Sequence, residues 1–116
     1  MKSYTDINQS KVLATILPLE SADMYYECTK EEPEYKVYVG KNIAITYNLF
    51  SYRNGHTIPC WSLASLLDVL QYPSLHRTSF GWRCVKAKGN GNIIKIGDYA
   101  DNPIDACYKL ILKLNE

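Results

Sequence analysis

The segment Asp101-Asn102-Pro103-Ile104-Asp105-Ala106-Cys107-Tyr108-Lys109-Leu110-Ile111-Leu112-Lys113-Leu114 carries the strongest structural signal in the chain. Asn102 is a favoured N-cap residue, and Pro103 follows at the first helical position, where its missing N–H costs nothing. Asp105 falls in the first turn, where the helix dipole favours a carboxylate. An apolar stripe then recurs at helical spacing on one face: Ile104, Cys107, Tyr108, Ile111 and Leu114, widened by Leu110. This pattern predicts an amphipathic helix from about Pro103 to Leu114 that lays its stripe on a sheet.

Two further helices are predicted upstream. Ser62 is a suitable N-cap for a helix that begins at Leu63 and stops before Tyr72-Pro73, because proline disfavours helical geometry at the residue before it. Thr5 is predicted to cap a first helix that starts at Asp6 and ends at Pro18.

Runs of β-branched and aromatic residues lie between these helices and predict strands. The predicted strands are Asp23 to Glu27, Tyr35 to Val39, Ile43 to Leu49, Phe80 to Ala87 and Ile93 to Asp98. In the third of these, large apolar residues occupy every second position, as expected for a strand with one buried face: Ile43, Ile45, Tyr47 and Leu49. Gly89-Asn90-Gly91-Asn92 joins the last two strands as a hairpin. Because the connections are short and the helices do not alternate regularly with the strands, the expected class is α+β, a small antiparallel sheet packed against about three helices.

Length and composition favour a single α+β domain over residues 1–116. Hydrophobic residues make up 47% of the chain and charged residues 22%, which is typical of globular proteins. No apolar run is long enough to span a bilayer, so no membrane is expected as a partner. The first residues become polar where an export signal would need an apolar stretch, so a cytoplasmic location is expected.

The sequence contains no motif of the common catalytic chemistries, and no enzyme activity, cofactor or metal site is predicted. The four cysteines are far apart in sequence and include no Cys-x-x-Cys pair. Gly89-x-Gly91 lacks the third glycine of a dinucleotide-binding loop. His56 and His76 are interpreted as loop residues. A nucleophilic pair such as Cys84 with His76 stays open, because such pairs meet only in space.

Four groups of segments stand out together: residues 6–11 with 21–25, residues 58–63 with Leu66-Leu67, Gly81-Trp82-Arg83-Cys84, and residues 101–107. In this order they resemble a family of small uncharacterised proteins from prophages, phages and other mobile elements of gut anaerobic bacteria. The resemblance covers nearly the whole chain, least of all Thr29 to Thr57. It implies an accessory role in a bacterial or phage cytosol and carries over no catalytic residue.

Tyrosine is unusually frequent, with ten in the chain, and several lie in the first half. Tyrosine suits half-buried sheet faces and also suits protein interfaces, since its ring is apolar and its hydroxyl stays wet. The two interpretations, sheet packing and a partner surface, both stay open. The candidate partner surface, for a protein partner or a homodimer, comprises Tyr25, Tyr26, Tyr35, Tyr38, Tyr47 and Tyr52. A non-enzymatic protein-interaction domain is therefore the first functional hypothesis.

The alternative hypothesis is weak nucleic-acid binding through the basic hairpin, residues 77–98. The net charge of +1 gives no global attraction to nucleic acid, but bases are concentrated in this segment. The candidate phosphate contacts are Arg77, Arg83, Lys86, Lys88 and Lys95. Strand alternation places Trp82 and Arg83 on opposite faces, which weakens the hypothesis that stacking and phosphate contacts act together.

Overall fold

The computed structural model describes all residues, 1–116, and confirms the α+β class. It contains five α-helices and two three-stranded antiparallel sheets. The chain divides into two compact units. We call residues Thr5–Ser62 the N-unit, and Met1–Tyr4 together with Leu63–Glu116 the C-unit.

The N-unit contains three short helices, a single 3-10 turn at Leu19–Ser21 and one sheet. Its helices are α1 (Ile7–Leu13), α2 (Ile43–Thr46) and α3 (Phe50–Arg53). Its strands are β1 (Met24–Glu27), β2 (Lys36–Val39) and β3 (Thr57–Cys60), in the spatial order β2-β1-β3. Both β2 and β3 are therefore edge strands.

Helix α1 begins one residue later than predicted. Asp6, not Thr5, is the N-cap: its carboxylate accepts from the Gln9 N–H at 2.8 Å, and the Gln9 side chain accepts from the Asp6 N–H at 3.1 Å. This reciprocal capping box satisfies two backbone donors at once. Thr5 is fully buried instead, and its hydroxyl accepts from the Trp61 N–H at 3.1 Å.

The prediction of a strand from Ile43 to Leu49 is wrong. The segment forms α2, because the Asn42 side chain accepts from the Ala44 N–H at 2.8 Å and so starts a helical turn. Asn48, with φ of 53°, then ends the turn in the left-handed region that asparagine tolerates. Buried residues are the consecutive Ala44 and Ile45, so the alternation that suggested a strand has no structural counterpart.

The C-unit contains two longer helices and the second sheet. Its helices are α4 (Leu63–Leu70) and α5 (Pro103–Leu114). Its strands are β4 (Pro73–Thr78), β5 (Gly81–Ala87) and β6 (Ile93–Ile96), in the spatial order β4-β5-β6. The predicted hairpin is confirmed as the antiparallel β5–β6 pair.

Strand β4 is absent from the predicted elements, and His76 lies in it rather than in a loop. Most of this strand is exposed, so it carries few apolar residues by which to recognise it. Its first residue is Pro73, a position that an edge strand tolerates because no ladder donor is needed there.

Helix α5 has the predicted bounds and the predicted cap. The Asn102 side chain accepts from the Asp105 N–H at 2.9 Å, and Pro103 opens the helix. The stripe residues Ile104, Leu110 and Ile111 are almost completely buried, and the helix packs on β5 and α4. Burial of this stripe builds the core of the C-unit.

Candidate functional site

Two of the six candidate tyrosines have internal roles. Tyr26 is 8% exposed and its hydroxyl donates to the Thr5 carbonyl at 2.7 Å. The Tyr35 hydroxyl donates to the Gly55 carbonyl at 2.6 Å, and its ring meets that of Tyr26 edge-on at 6.5 Å. Burial raises the pKa of the Tyr35 hydroxyl above its usual value, with a contribution from Cys28. These contacts place Tyr26 in the core and tie Tyr35 to the turn before β3.

Tyr25 and Tyr38 form a stacked pair across the β1–β2 ladder. Their ring centroids are 5.3 Å apart and the ring planes differ by 20°. Because the two residues are direct register partners, both side chains lie on the sheet face opposite to Tyr26. Tyr38 is 42% exposed, so the outer end of this pair is available for contact.

Strand β2 leaves one backbone edge without a partner. The Gly40 N–H donates to the Asp23 carbonyl at 2.8 Å, and the register continues through Met24–Val39 to Tyr26–Val37. In an antiparallel ladder, residues alternate between pairs that exchange hydrogen bonds and pairs that do not. The alternation from Gly40 therefore directs the N–H and C=O groups of Val37 and Val39 away from β1, to the free edge.

Exposed apolar side chains accompany this edge and the helices that follow it. They are Tyr38, Val39, Ile43, Tyr47, Leu49 and Phe50, and Val39 is 84% and Phe50 70% exposed. We call these six residues the edge surface. Sequence reasoning included only its two tyrosines, because the alternation assigned to Ile43–Leu49 predicted a buried face there.

Polar contacts hold the turn between β2 and α2. The Asp23 carboxylate accepts from the Ser62 N–H at 3.0 Å and also from the Ser62 hydroxyl. The Lys41 ammonium donates to the Glu20 carbonyl. The Lys41 contact ties this turn to the Leu19–Ser21 turn, and the Asp23 contacts tie the residue before β1 to Ser62.

The sixth candidate, Tyr52, lies in α3 and lines a groove in the N-unit together with residues of α1 and β3. The candidate tyrosines thus do not form one surface. Tyr25 and Tyr38 share a sheet face, Tyr47 belongs to the edge surface, and Tyr52 borders the groove.

The basic residues of the hairpin are divided between the two faces of its sheet. Arg77 pairs with Trp82 in the ladder and Lys86 with Lys95, whereas Arg83 pairs with His76 on the other face. The Arg77 guanidinium lies 5.7 Å from the Trp82 ring centroid.

Besides Arg77, two of these bases have partners within the C-unit. The Lys86 ammonium donates to the carbonyls of Leu70 and Gln71, at the end of α4. The Arg83 guanidinium lies 3.9 Å from the Tyr99 ring centroid. The five bases therefore present no single basic face to a nucleic acid.

The Cys84–His76 pair that the sequence left open does not form. His76 is the register partner of Arg83, and Cys84 is that of Leu75, so the two side chains point to opposite faces of the sheet. Cys84 is buried against Cys107, with 3.9 Å between the two sulfur atoms. The hydrogen bond from Cys107 lowers the pKa of the Cys84 thiol, and the same contact together with burial raises that of Cys107.

Comparison with protein-family models, curated proteins and solved structures found no match. The longest helix, α5, has 12 residues, and no helix combines the length and the hydropathy that a bilayer span requires.

Proposed function

We propose that this chain is a non-enzymatic protein-interaction module that associates with a second copy of itself along strand β2. The accessory role in a bacterial or phage cytosol that the family resemblance implies belongs to the same proposal. The single observation that carries the proposal is the free edge of β2, bordered by the edge surface. An unpaired edge with exposed apolar neighbours is a template for pairing with another chain.

The free edge of β2 is self-complementary. A second copy can lie antiparallel with its Val39 opposite Val37, since both residues direct their N–H and C=O groups outward. This register brings the Tyr38 residues of the two copies side by side. The stacked Tyr25–Tyr38 pair of each copy then continues into the other, and cross-strand aromatic pairs of this kind stabilise sheets.

Charge does not oppose this arrangement. In the same register, Lys36 lies opposite Gly40 of the second copy, and Lys41 lies opposite Tyr35, so no like charges meet directly. Like charges placed directly opposite each other would destabilise the pairing.

Association through such an edge is expected to be weak and concentration dependent. Strand β2 has only 4 residues, so the buried area falls at the low end of specific interfaces. We expect a monomer–dimer equilibrium that shifts within the micromolar to millimolar range.

Sedimentation equilibrium over a concentration series tests the proposal. The wild-type chain should approach twice the monomer mass as its concentration rises. Val39→Lys should remain monomeric, because a lysine on an edge strand opposes pairing with another strand. Ile93→Lys is the matched control: Ile93 is 62% exposed, but it lies on β6 in the C-unit, so this variant should dimerise like the wild type.

A wild-type chain that stays monomeric at millimolar concentration would overturn self-association. Equal dimerisation of the wild type and Val39→Lys would move the interface away from β2. Circular dichroism of each variant must match the wild type, so that loss of dimer is not loss of fold.

A further inference from the structure

We propose that Cys84 and Cys107 form a redox-dependent disulfide site in the core of the C-unit. A disulfide joins them when the chain folds in the presence of a small disulfide oxidant, and burial then preserves the state, bonded or reduced, in which the chain folded. Their sulfur atoms lie 3.9 Å apart, and both residues are completely buried. The site is independent of pairing through β2.

The fold fixes the backbone on both sides of this pair. Cys84 lies in β5, the central strand of its sheet. Its register partner is Leu75 of β4, and its carbonyl accepts from the Gly97 N–H at 2.9 Å. Cys107 lies in α5, which packs on β5. Because hydrogen bonds and packing hold both backbones, the two sulfur atoms are neighbours in every chain that reaches this fold.

Gly97 allows α5 to lie close to the sheet at this point. A Cβ atom at position 97 would lie 2.8 Å from the Cys84 carbonyl oxygen and 3.1 Å from the Cβ of Leu110, one helical turn after Cys107. A disulfide requires an S–S distance of about 2.05 Å. The remaining approach is shorter than the path of a cysteine sulfur between adjacent staggered rotamers, so rotation of the side chains can supply it.

The bond forms by thiol–disulfide exchange. In the unfolded chain, the thiolate of one cysteine attacks a sulfur of the oxidant, the S–S bond of the oxidant breaks, and one small thiolate leaves. As the chain folds, the second cysteine loses its proton to water and attacks the protein sulfur of the mixed disulfide, which releases the second small thiolate. The two cysteines are thereby oxidised, the oxidant is reduced to two thiols, and the two cysteine protons reach those thiols through the solvent.

Burial explains why the state persists after folding. Exchange requires direct contact between a thiolate and the sulfur that it attacks, and neither Cys84 nor Cys107 has exposed surface. The contact with Cys84, together with burial, also raises the pKa of Cys107, so its thiol stays protonated in the folded chain. Oxidation of the folded chain by a reagent as large as glutathione therefore requires opening of the C-unit.

The test compares oxidation during folding with oxidation after folding. Reduced wild-type chain is unfolded in urea and diluted into a glutathione buffer rich in the oxidised form. A second sample refolds in reductant and then spends the same time in the same buffer. Free thiols are alkylated, and peptide mass spectrometry locates the disulfides. Most chains of the first sample should contain the Cys84–Cys107 disulfide, and the second sample should contain about tenfold less, because exchange there awaits opening.

The other cysteines supply the controls. Cys60 is equally buried, but its sulfur contacts the hydroxyl and the carbonyl of Thr5, at 3.6 and 3.5 Å, and should remain a thiol. Cys28→Ser removes a half-buried cysteine of the N-unit and should leave the yield of the disulfide unchanged. The oxidised wild-type chain should melt about 5–10 °C above the reduced chain, because the bond restricts the unfolded state.

Three results would overturn the proposal. The first is a refolded chain in which Cys84 and Cys107 are joined no more often than pairs that include Cys28 or Cys60. The second is a lower melting temperature for the oxidised chain, which would show that the fold opposes the bond. The third is equal oxidation of the two samples, which would show that burial does not preserve the reduced state.

Discussion

The N-unit and the C-unit each contain a three-stranded antiparallel sheet, but different interactions hold them together. In the C-unit, the 12-residue α5 buries a continuous apolar stripe against β5 and α4. In the N-unit, no helix exceeds 7 residues, and buried polar side chains join segments that are distant in sequence. The backbone N–H of Trp61 donates to the Thr5 hydroxyl at 3.1 Å, and the indole N–H of Trp61 donates to the Ser21 hydroxyl at 2.9 Å.

This difference explains which structural elements can be predicted from the sequence. A helical stripe repeats over several turns, so its signal accumulates along the chain. A side-chain hydrogen bond between distant segments leaves no local pattern. The long helix and the hairpin of the C-unit can therefore be predicted from sequence, whereas the hydrogen bonds that join the segments of the N-unit cannot.

The largest expected effect tests the apolar stripe of the C-unit. Leu110→Ala should lower the free energy of unfolding by about 3 kcal/mol, because it leaves a cavity at a fully buried position. Leu49→Ala in the N-unit is the matched change at a position that is 45% exposed, and its effect should be within about 0.5 kcal/mol of zero. Urea denaturation of both variants measures the contrast.

Similar losses for the two leucine variants would show that Leu49 is packed in solution. That result would also count against the edge surface as an exposed patch in the monomer.

A smaller effect tests the buried polar contacts of the N-unit. Thr5→Val removes a hydroxyl that contacts Ser10 and accepts from the Trp61 N–H, so the free energy of unfolding should fall by about 2 kcal/mol. Thr57 is equally buried but its hydroxyl is unpaired, so Thr57→Val should leave the stability unchanged or raise it by about 1 kcal/mol.

Thermal unfolding of the two threonine variants at matched concentration provides the measurement. A loss of stability in Thr57→Val comparable to that in Thr5→Val would mean that the Thr57 hydroxyl has a partner in solution.

The smallest expected change in the free energy of unfolding is that from removing an asparagine N-cap. Each unit contains one such cap. Asn102→Ala should cost about 1 kcal/mol, and its effect should spread over α5, because that helix melts cooperatively with its core. Asn42→Ala should cost a similar amount or less, and its effect should stay local to the 4-residue α2. Amide hydrogen exchange distinguishes a spread effect from a local one.

If Asn42→Ala lost protection from amide hydrogen exchange throughout the N-unit, the effect of this cap would not be local. Such a loss would indicate that α2 is required for the N-unit to fold, rather than an addition to a stable sheet.

Signals between residues close in sequence determined where several helices and strands of this protein begin and end. Asn102 and Pro103 define the start of α5, Tyr72-Pro73 bounds α4, and alternating residues with a glycine-rich turn define the β5–β6 hairpin. These elements follow from the sequence because capping, proline geometry and periodicity act between near neighbours.

Only the tertiary structure decided the rest. Packing of α2 against β3 and the Leu19–Ser21 turn supports a helix where the sequence has a strand-like pattern, and β4 forms because β5 provides its ladder partner. Likewise, β2 has a free edge because β3 pairs with the other side of β1 and not with β2, and the groove in the N-unit exists because β3 lies beside residues of α1 and α3. Which edge remains unpaired and which hydroxyl remains unbonded depend on contacts between residues far apart in the chain, and local patterns carry no record of such contacts.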